Sequence, residues 1–443
     1  MIPKQRRGLL WLMVFGLGVS ACHKNPSSNR ESRFQGKVKL VQSSDYSNIA
    51  IALYEAGQVD SLLQVIKSLY PSLDFKLTGR DLFDHRKRQP VARVSAQKDG
   101  TWEMMAPDGD YIAVASKEGF GWSYGYDLQP SGESVLQLWP EVHLSGTAAE
   151  AMVLLAGRHY IVDRDFTVAA GGSLMLEGGT WLRLSRSAVL NCEGHFFAVG
   201  SAGNMVRITS NTYEPYAGDW NALKLSNTEH TTLRGAVISY GGNGISLKNV
   251  RSLTINTCLF QECKYTALLL NQVQQAEIQH NVFQRNETGL YCQAGADVLI
   301  SHNMFVTSAQ GIESEGSQVR IENNCFRSCK TGLHARFRPG PSVRNNQFEE
   351  NGAGVFCAGS NPSIRVNNFD HNVLGVEIGI EYSSYNAEPI IRFNNFFVNG
   401  NPVKLYGNAI GPNSIDVDAT NNFWNTPNRS EERRVGKECR SRW

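Results

Sequence analysis

The chain has 443 residues, of which 41% are hydrophobic and 19% charged, with 41 glycines. That composition excludes a collagen-like or wholly disordered polymer and a protein of many membrane spans, and it leaves ample length for a large core. Setting aside the three basic residues of the first 21, and the six basic and three acidic residues of the last fifteen, takes the formal charge from +2 to −4. A basic, nucleic-acid-seeking surface is therefore not expected.

Lys4, Arg6 and Arg7 lead into the apolar run Gly8 to Gly18 and then Val19-Ser20-Ala21-Cys22. The run is too short to span a bilayer as a mature helix, but it fits the apolar region of a secretory signal. Small residues ahead of a cysteine resemble the lipobox of bacterial lipoproteins. The resemblance implies a signal peptide over residues 1–21, lipidation of Cys22 and an exported, membrane-anchored lipoprotein, with His23 favouring the outer membrane or cell surface. Residues 22–34 then read as a polar tether.

Residues 35–140 carry alternating segments joined by Gly/Asp turns: Gly36 to Leu40, Ala92 to Ser95, Gly100 to Met104 and Gly109 to Val114. These predict half-buried antiparallel strands. They resemble the small carboxypeptidase-regulatory-like β-sandwich, a transthyretin-like module that implies spacing or docking. Apolar residues at 59, 62, 63, 66 and 69 predict one helix interrupting it. Asp84-His85-Arg86 reads as a solvated loop.

From residue 146 to 426 a different rule takes over. Asn-x-Phe, a polar residue three after the Phe and a Gly six after it recur at Asn281/Phe283/Asn286/Gly289, Asn303/Phe305/Ser308/Gly311, Asn324/Phe326/Cys329/Gly332, Asn346/Phe348/Asn351/Gly354 and Asn367/Phe369/Asn372/Gly375. Looser copies centre on Ile238, Phe260, Phe396 and Phe423, and successive spacings are 22, 23, 22, 21, 22, 21, 27 and 27. Between anchors the apolar residues alternate in runs too short for helices, so each unit makes short strands that bury their faces only against neighbouring units. The expected fold is all-β: a right-handed parallel β-helix with three short strands per coil, successive coils being ~4.8 Å apart. A leucine-rich repeat shares the period but needs a leucine consensus that is not seen. The Asn, Phe and Gly types read as scaffold: asparagines laddering from coil to coil, phenylalanines stacked inside, and glycine turning the chain where a Cβ would crowd.

With Val168 to Thr180 as an opening coil, followed by Val206 to Asn211 and Gly218-Asp219-Trp220, the repeat resembles the pectate-lyase-like superfamily, especially its broad group of short parallel β-helix repeats. The resemblance implies a fold that hosts many activities, so it does not by itself name one.

Cys22 and Cys439 aside, seven cysteines remain. Cys263 and Cys329 share one slot three coils apart, as do Cys292 and Cys357, which is ~14 Å against the roughly 7 Å a disulfide tolerates. They read as buried thiols. Cys325/Cys329 and Cys258/Cys263 have spacings that suggest a metal, but no histidine pair completes a set, so no metal site and no cofactor is expected. A copper-maturation role, known for some related β-helix proteins, would need clustered Met or His ligands that the sequence lacks.

After each repeat glycine comes a strand whose alternate residues point outward. One outward column reads Tyr291, Glu313, His334, Phe356, Glu377, Lys404, and its neighbour reads Gln293, Glu315, Arg336, Ala358, Gly379, Tyr406. In superfamily members that act on polysaccharides the corresponding strand carries the substrate groove, so Tyr291, Gln293, Phe356, Glu377, Lys404 and Tyr406 are candidate carbohydrate contacts. Bends at Phe337 to Pro341 and Glu381 to Glu388 would wall it. Glu313 and Glu315, ~7 Å apart along one strand and inside the inverting-glycosidase range, form with His334 and Arg336 the candidate catalytic set. The catalytic motifs of polygalacturonases and the calcium-binding aspartates of the superfamily are absent.

Residues 429–443 match the translation of a sequencing-adapter oligonucleotide and are left out of the functional reading. Three functions fit: an anchored protein binding or scaffolding polysaccharide at the cell envelope; a lyase, hydrolase or epimerase acting in the groove; and a purely structural surface platform. The sequence does not fix the oligomeric state.

Overall fold

The structure, a computed structural model, describes residues 31–56, 61–379, 387–405 and 417–425. Cys22, Tyr406 and most of the Glu381 to Glu388 bend lie outside the described residues. The remainder is a right-handed parallel β-helix preceded by two small sheets.

The N-terminal sheets share one core. Strand Glu31–Leu40 pairs antiparallel with Thr101–Pro107 and parallel with Glu133–Leu138. Ala50–Glu55 lies between Ala92–Ser95 and Tyr111–Ser116, with Ser123–Gly125 at the edge. Phe34, Val38, Trp102 and Leu136 of the first sheet meet Ile51, Leu53 and Ala113 of the second, the alternation read in the sequence placing one side of each strand inward. The first strand starts at Glu31, inside the stretch expected as tether, because Phe34 is a core residue. The expected helix is present as Ser61–Leu69.

The β-helix has three faces. The third face is an eleven-stranded parallel sheet from Ala151–Leu154 to Ile390–Arg392. The phenylalanine face carries the Asn-x-Phe strands, and the site face carries the strands after each glycine, from Thr266–Asn271 through Gln310–Glu315 to Asn401–Leu405. Corners are turned by single residues in the left-handed region, such as His302, Thr307 and Phe337.

The repeat residues do what their types dictate. Asn281, Asn303, Asn324, Asn346, Asn367, Asn394 and Asn422 form a ladder in which each side-chain carbonyl after the first accepts from both the backbone N–H and the Nδ2 of the preceding asparagine, and that of Asn281 accepts from the Cys258 N–H. The Nδ2 to Oδ1 steps are 2.9–3.1 Å. A second ladder joins Asn351, Asn372 and Asn399. Phe260, Phe283, Phe305, Phe326, Phe348, Phe369 and Phe396 stack with centroids 4.7–4.9 Å apart, and the column ends on Trp424 at 4.6 Å. The last repeat is thus Asn422-x-Trp424, one residue on from the Phe423 expected; Phe423 itself pairs beside Asn395 and is exposed.

The repeat glycine lies inside a strand instead of turning the chain. A Cβ on Gly311 would sit 2.5 Å from the Gly332 carbonyl oxygen and 2.8 Å from the Phe326 ring. Crowding by the next coil, not backbone conformation, requires it. All seven cysteines of the described residues are buried and free, and burial pushes the Cys258, Cys263, Cys325 and Cys329 thiols up to about 12.

The segment between the small sheets and the β-helix docks the two together. Leu63, Ile66, Leu73, Phe75 and Leu77 cover Val237, Leu259, Val282, Met304 and Cys325, the outward middle residues of the first repeats. A second contact sets Trp122 edge-on to Trp181 at 5.2 Å and stacks Tyr124 on the same ring at 5.7 Å. Here Asp84-His85-Arg86 departs from the solvated loop expected. The Arg86 side chain is 1% exposed; it pairs with Asp84 at 2.8 Å and donates to the Ser210 and Thr212 carbonyls at 2.6 and 3.1 Å. A guanidinium removed from water needs all its donors satisfied, and the first coils of the β-helix supply acceptors.

Candidate functional site

The site face is built by register. Tyr291 pairs with Glu313, Glu313 with His334, His334 with Phe356, Phe356 with Glu377 and Glu377 with Lys404. Gln293, Glu315, Arg336, Ala358 and Gly379 form the neighbouring column. The alternate residues Leu290, Ile312, Leu333, Val355 and Val376 are completely buried, so the hydrophobic core fixes which side chains face out.

Five of the expected residues come together in one hydrogen-bonded group. Arg336 Nη1 donates to Glu313 Oε1 at 2.8 Å and lies 3.7 Å from Glu315 Oε2. Glu315 also accepts from the Tyr291 hydroxyl at 2.5 Å and from Gln293 Nε2 at 3.1 Å. Burial, then the hydrogen bond to Glu315, raise the Tyr291 phenol well above its ordinary range, so it stays a donor. The planar guanidinium bridges two carboxylates that stand on one strand of the neighbouring coil, an arrangement that suits Arg better than Lys.

His334 differs from expectation. It occupies the outward column but is only 6% exposed, its ring stacked on Phe356 at 4.9 Å and 13°. Large neighbours one coil away cover it, so an outward register does not make it a solvent-facing acid or base. Ala358 is likewise buried, and so is Gly379. Glu377 and Lys404 lie one and two coils beyond Phe356, and burial raises the Glu377 carboxyl while Lys404 opposes it. On the corner after Arg336, Phe337 holds its ring 5.3 Å from that guanidinium. Arg338 on the same bend approaches Glu388 at 3.5 Å. Of the two bends expected to wall the face, the described residues thus place Phe337 beside Arg336 and tie Arg338 to Glu388.

The family described as "Right handed beta helix region" matches residues 266–423, and that described as "Periplasmic copper-binding protein (NosD)" matches residues 159–328. No curated protein matches the chain. Among solved structures, an alginate lyase from Paenibacillus sp. str. FPU-7 is 13% identical, with 58% of this chain and 89% of that one covered and a TM-score of 0.36. The mannuronan C-5 epimerase AlgE6 A-module of Azotobacter vinelandii is 11% identical over 64% and 88%, with a TM-score of 0.34. A Yersinia enterocolitica family 28 exopolygalacturonase is 9% identical over 83% and 93%, with a TM-score of 0.28. Nothing about activity follows from likeness at this level.

Copper finds no donor set in the matched segment. Among the described residues no group of three or more His, Cys, Asp or Glu side chains is placed to hold a metal. The segment's thiols are buried and pushed up to about 11 or 12, against the thiolate form a metal needs. No helix among the described residues is long and apolar enough to cross a membrane. Ladder, aromatic column, register and family matches agree on one architecture: the chain is a right-handed parallel β-helix carrying small N-terminal sheets.

Proposed function

We propose that the protein is an exported, lipid-anchored binding protein that lays an extended glycan along the site face. The observation that carries this reading is the Tyr291, Gln293, Glu313, Glu315 and Arg336 group, held in register beside the Phe356 ring. A rigid strand face presents fixed donors and acceptors every coil, the spacing an extended polymer can follow, and aromatic rings stack on sugar faces. Binding is favoured over acid–base chemistry because both Glu315 oxygens are engaged by neighbours and the imidazole of His334 is buried. The match to a family described as periplasmic supports export. The Val19 to Cys22 segment supports the anchor, and incorporation of labelled fatty acid that disappears in Cys22→Ala tests it.

Affinity gels containing neutral and acidic polysaccharides test the glycan reading. The protein is expected to be retarded by some member of a broad panel, and Arg336→Ala and Phe356→Ala should each relieve the retardation. No retardation across the panel refutes it. A turnover on any such glycan that is lost in Glu313→Gln would instead assign the face to an enzyme.

A further inference from the structure

A cleft of about 350 Å³ opens on a different face, where the N-terminal segment meets the phenylalanine face of the β-helix. Its floor is Tyr240, Gln261 and Gln284, which are only 2%, 9% and 3% exposed, and its lip is Lys87 and Arg88. We propose that this cleft is a second binding site, for a small anionic sugar.

The floor is polar where the fold needs no polarity. The position after the repeat aromatic holds Gln261 and Gln284 in register, whereas one coil further on it is Val306, buried in the docking contact. Gln284 Nε2 donates to Gln261 Oε1 at 2.7 Å, and this is the one side-chain hydrogen bond of either amide among the described residues. An amide has two donors and two acceptor lone pairs, so the Gln261 NH₂ group and the Gln284 carbonyl keep unspent capacity. Neither atom is among the sealed, partnerless ones, and both residues line the cleft together with Tyr240. Donor and acceptor side by side match neighbouring hydroxyls of a sugar ring. An apolar floor would have been the cheaper way to bury these positions.

The charge of the walls selects an anion. The two carboxylates present are already matched: Asp84 by Arg86 at 2.8 Å and Glu262 by Arg285 at 3.6 Å. Lys87 lies over the Tyr240 ring at 5.2 Å, and Arg88 over Phe83 at 5.1 Å with a 3.4 Å donation to the Glu55 carbonyl. Neither Lys87 nor Arg88 forms an ion pair among the described residues, so two positive charges at the mouth are surplus. The volume is at the small end of ligand pockets, which fits one or two sugar rings and not a polymer strand. A carboxylate or a phosphate on the sugar would meet the same two cations.

Ligand-observed NMR and calorimetric titrations of the purified full chain with glucuronate, glucose 6-phosphate, glucose and inorganic phosphate test the proposal. At least one anionic sugar should bind, with glucose and phosphate each about tenfold weaker or more, since each lacks one set of contacts. The bound probe identifies the acid group. Lys87→Ala with Arg88→Ala, and separately Gln284→Met, should each weaken binding by about tenfold, with circular dichroism and thermal midpoints confirming that both variants fold. Arg336→Ala, on the other face, should leave this affinity unchanged, which separates this cleft from the groove. Failure of both anionic sugars to bind overturns the inference, as does equal binding of glucose or phosphate, or binding that survives both sets of substitutions.

Discussion

Asn324 is 1% exposed and sits mid-ladder. Its Oδ1 accepts from the Asn303 backbone N–H at 2.9 Å and from Asn303 Nδ2 at 3.1 Å, while its own Nδ2 donates to the Ile300 carbonyl at 2.9 Å and to Asn346 Oδ1 at 3.0 Å. Asn324→Ala leaves the Asn303 N–H and the Ile300 carbonyl buried without that partner. At about 1–3 kcal/mol for each stranded group, the loss should be about 2–6 kcal/mol. Asn324→Asp tests the direction of the bonds. A carboxylate keeps the two accepted bonds but sets oxygen against oxygen at Asn346 and Ile300, so at neutral pH it should cost more than alanine. Its deficit should shrink as pH falls, because the proton restores a donor. Asn422→Ala is the control: Asn422 is half-buried, and water can replace its bonds to Asn394. Urea unfolding followed by circular dichroism measures all three. A loss under about 1 kcal/mol for Asn324→Ala, or equal losses at Asn324 and Asn422, would refute the idea that the ladder stabilises the stack.

Three further outcomes follow from the packing. Gly311→Ala forces a methyl against the next coil's carbonyl and should lower stability by about 1–3 kcal/mol in the same assay. Arg86→Ala leaves the half-buried Asp84 without its counter-charge. It should cost about 3–5 kcal/mol and expose the docking contact to limited proteolysis, and unchanged proteolysis would contradict the interface. Glu349 is raised to about 7 by burial and by Asp370 and Glu350, against the Arg327 guanidinium 3.5 Å from its carboxylate. Its stability contribution is complete below the ordinary carboxylate range and is lost as pH rises through about 7, so Glu349→Gln should raise the thermal midpoint at pH 8 and leave it little changed at pH 4.

The Asn-x-Phe spacing carried the coil register to the residue for most of the stack, because stacked identical side chains tolerate no slip. It failed at the last coil, where Asn422-Phe423-Trp424 offers two adjacent aromatics and only packing chooses Trp424. The site columns were legible by alternation, and the joining of Tyr291, Glu315, Arg336 and Glu313 follows from them. The burial of His334 was not legible, since it depends on the size of neighbours one coil away. The docking contact has its own mark in the sequence. The middle residue of Asn-x-Phe is Val282, Met304 and Cys325 under the covering segment, then Gln347 and Asn368 beyond it. The inward pull on Asp84-His85-Arg86 comes from acceptors at Ser210 and Thr212, more than a hundred residues away in the chain.

That switch from apolar to polar middle residues bears on how such a rod can change length. Up to Cys325 every unit is tied to a fixed strap, so deleting or duplicating one there would misalign the strap's apolar contacts. From Gln347 onward, among the described residues, the ladder and ring contacts of each unit run to the units directly above and below it, and the Arg338–Glu388 pair is the contact that reaches one unit further. The molecule should therefore tolerate a unit added or removed in that stretch, which makes it the natural place to graft or shorten the scaffold.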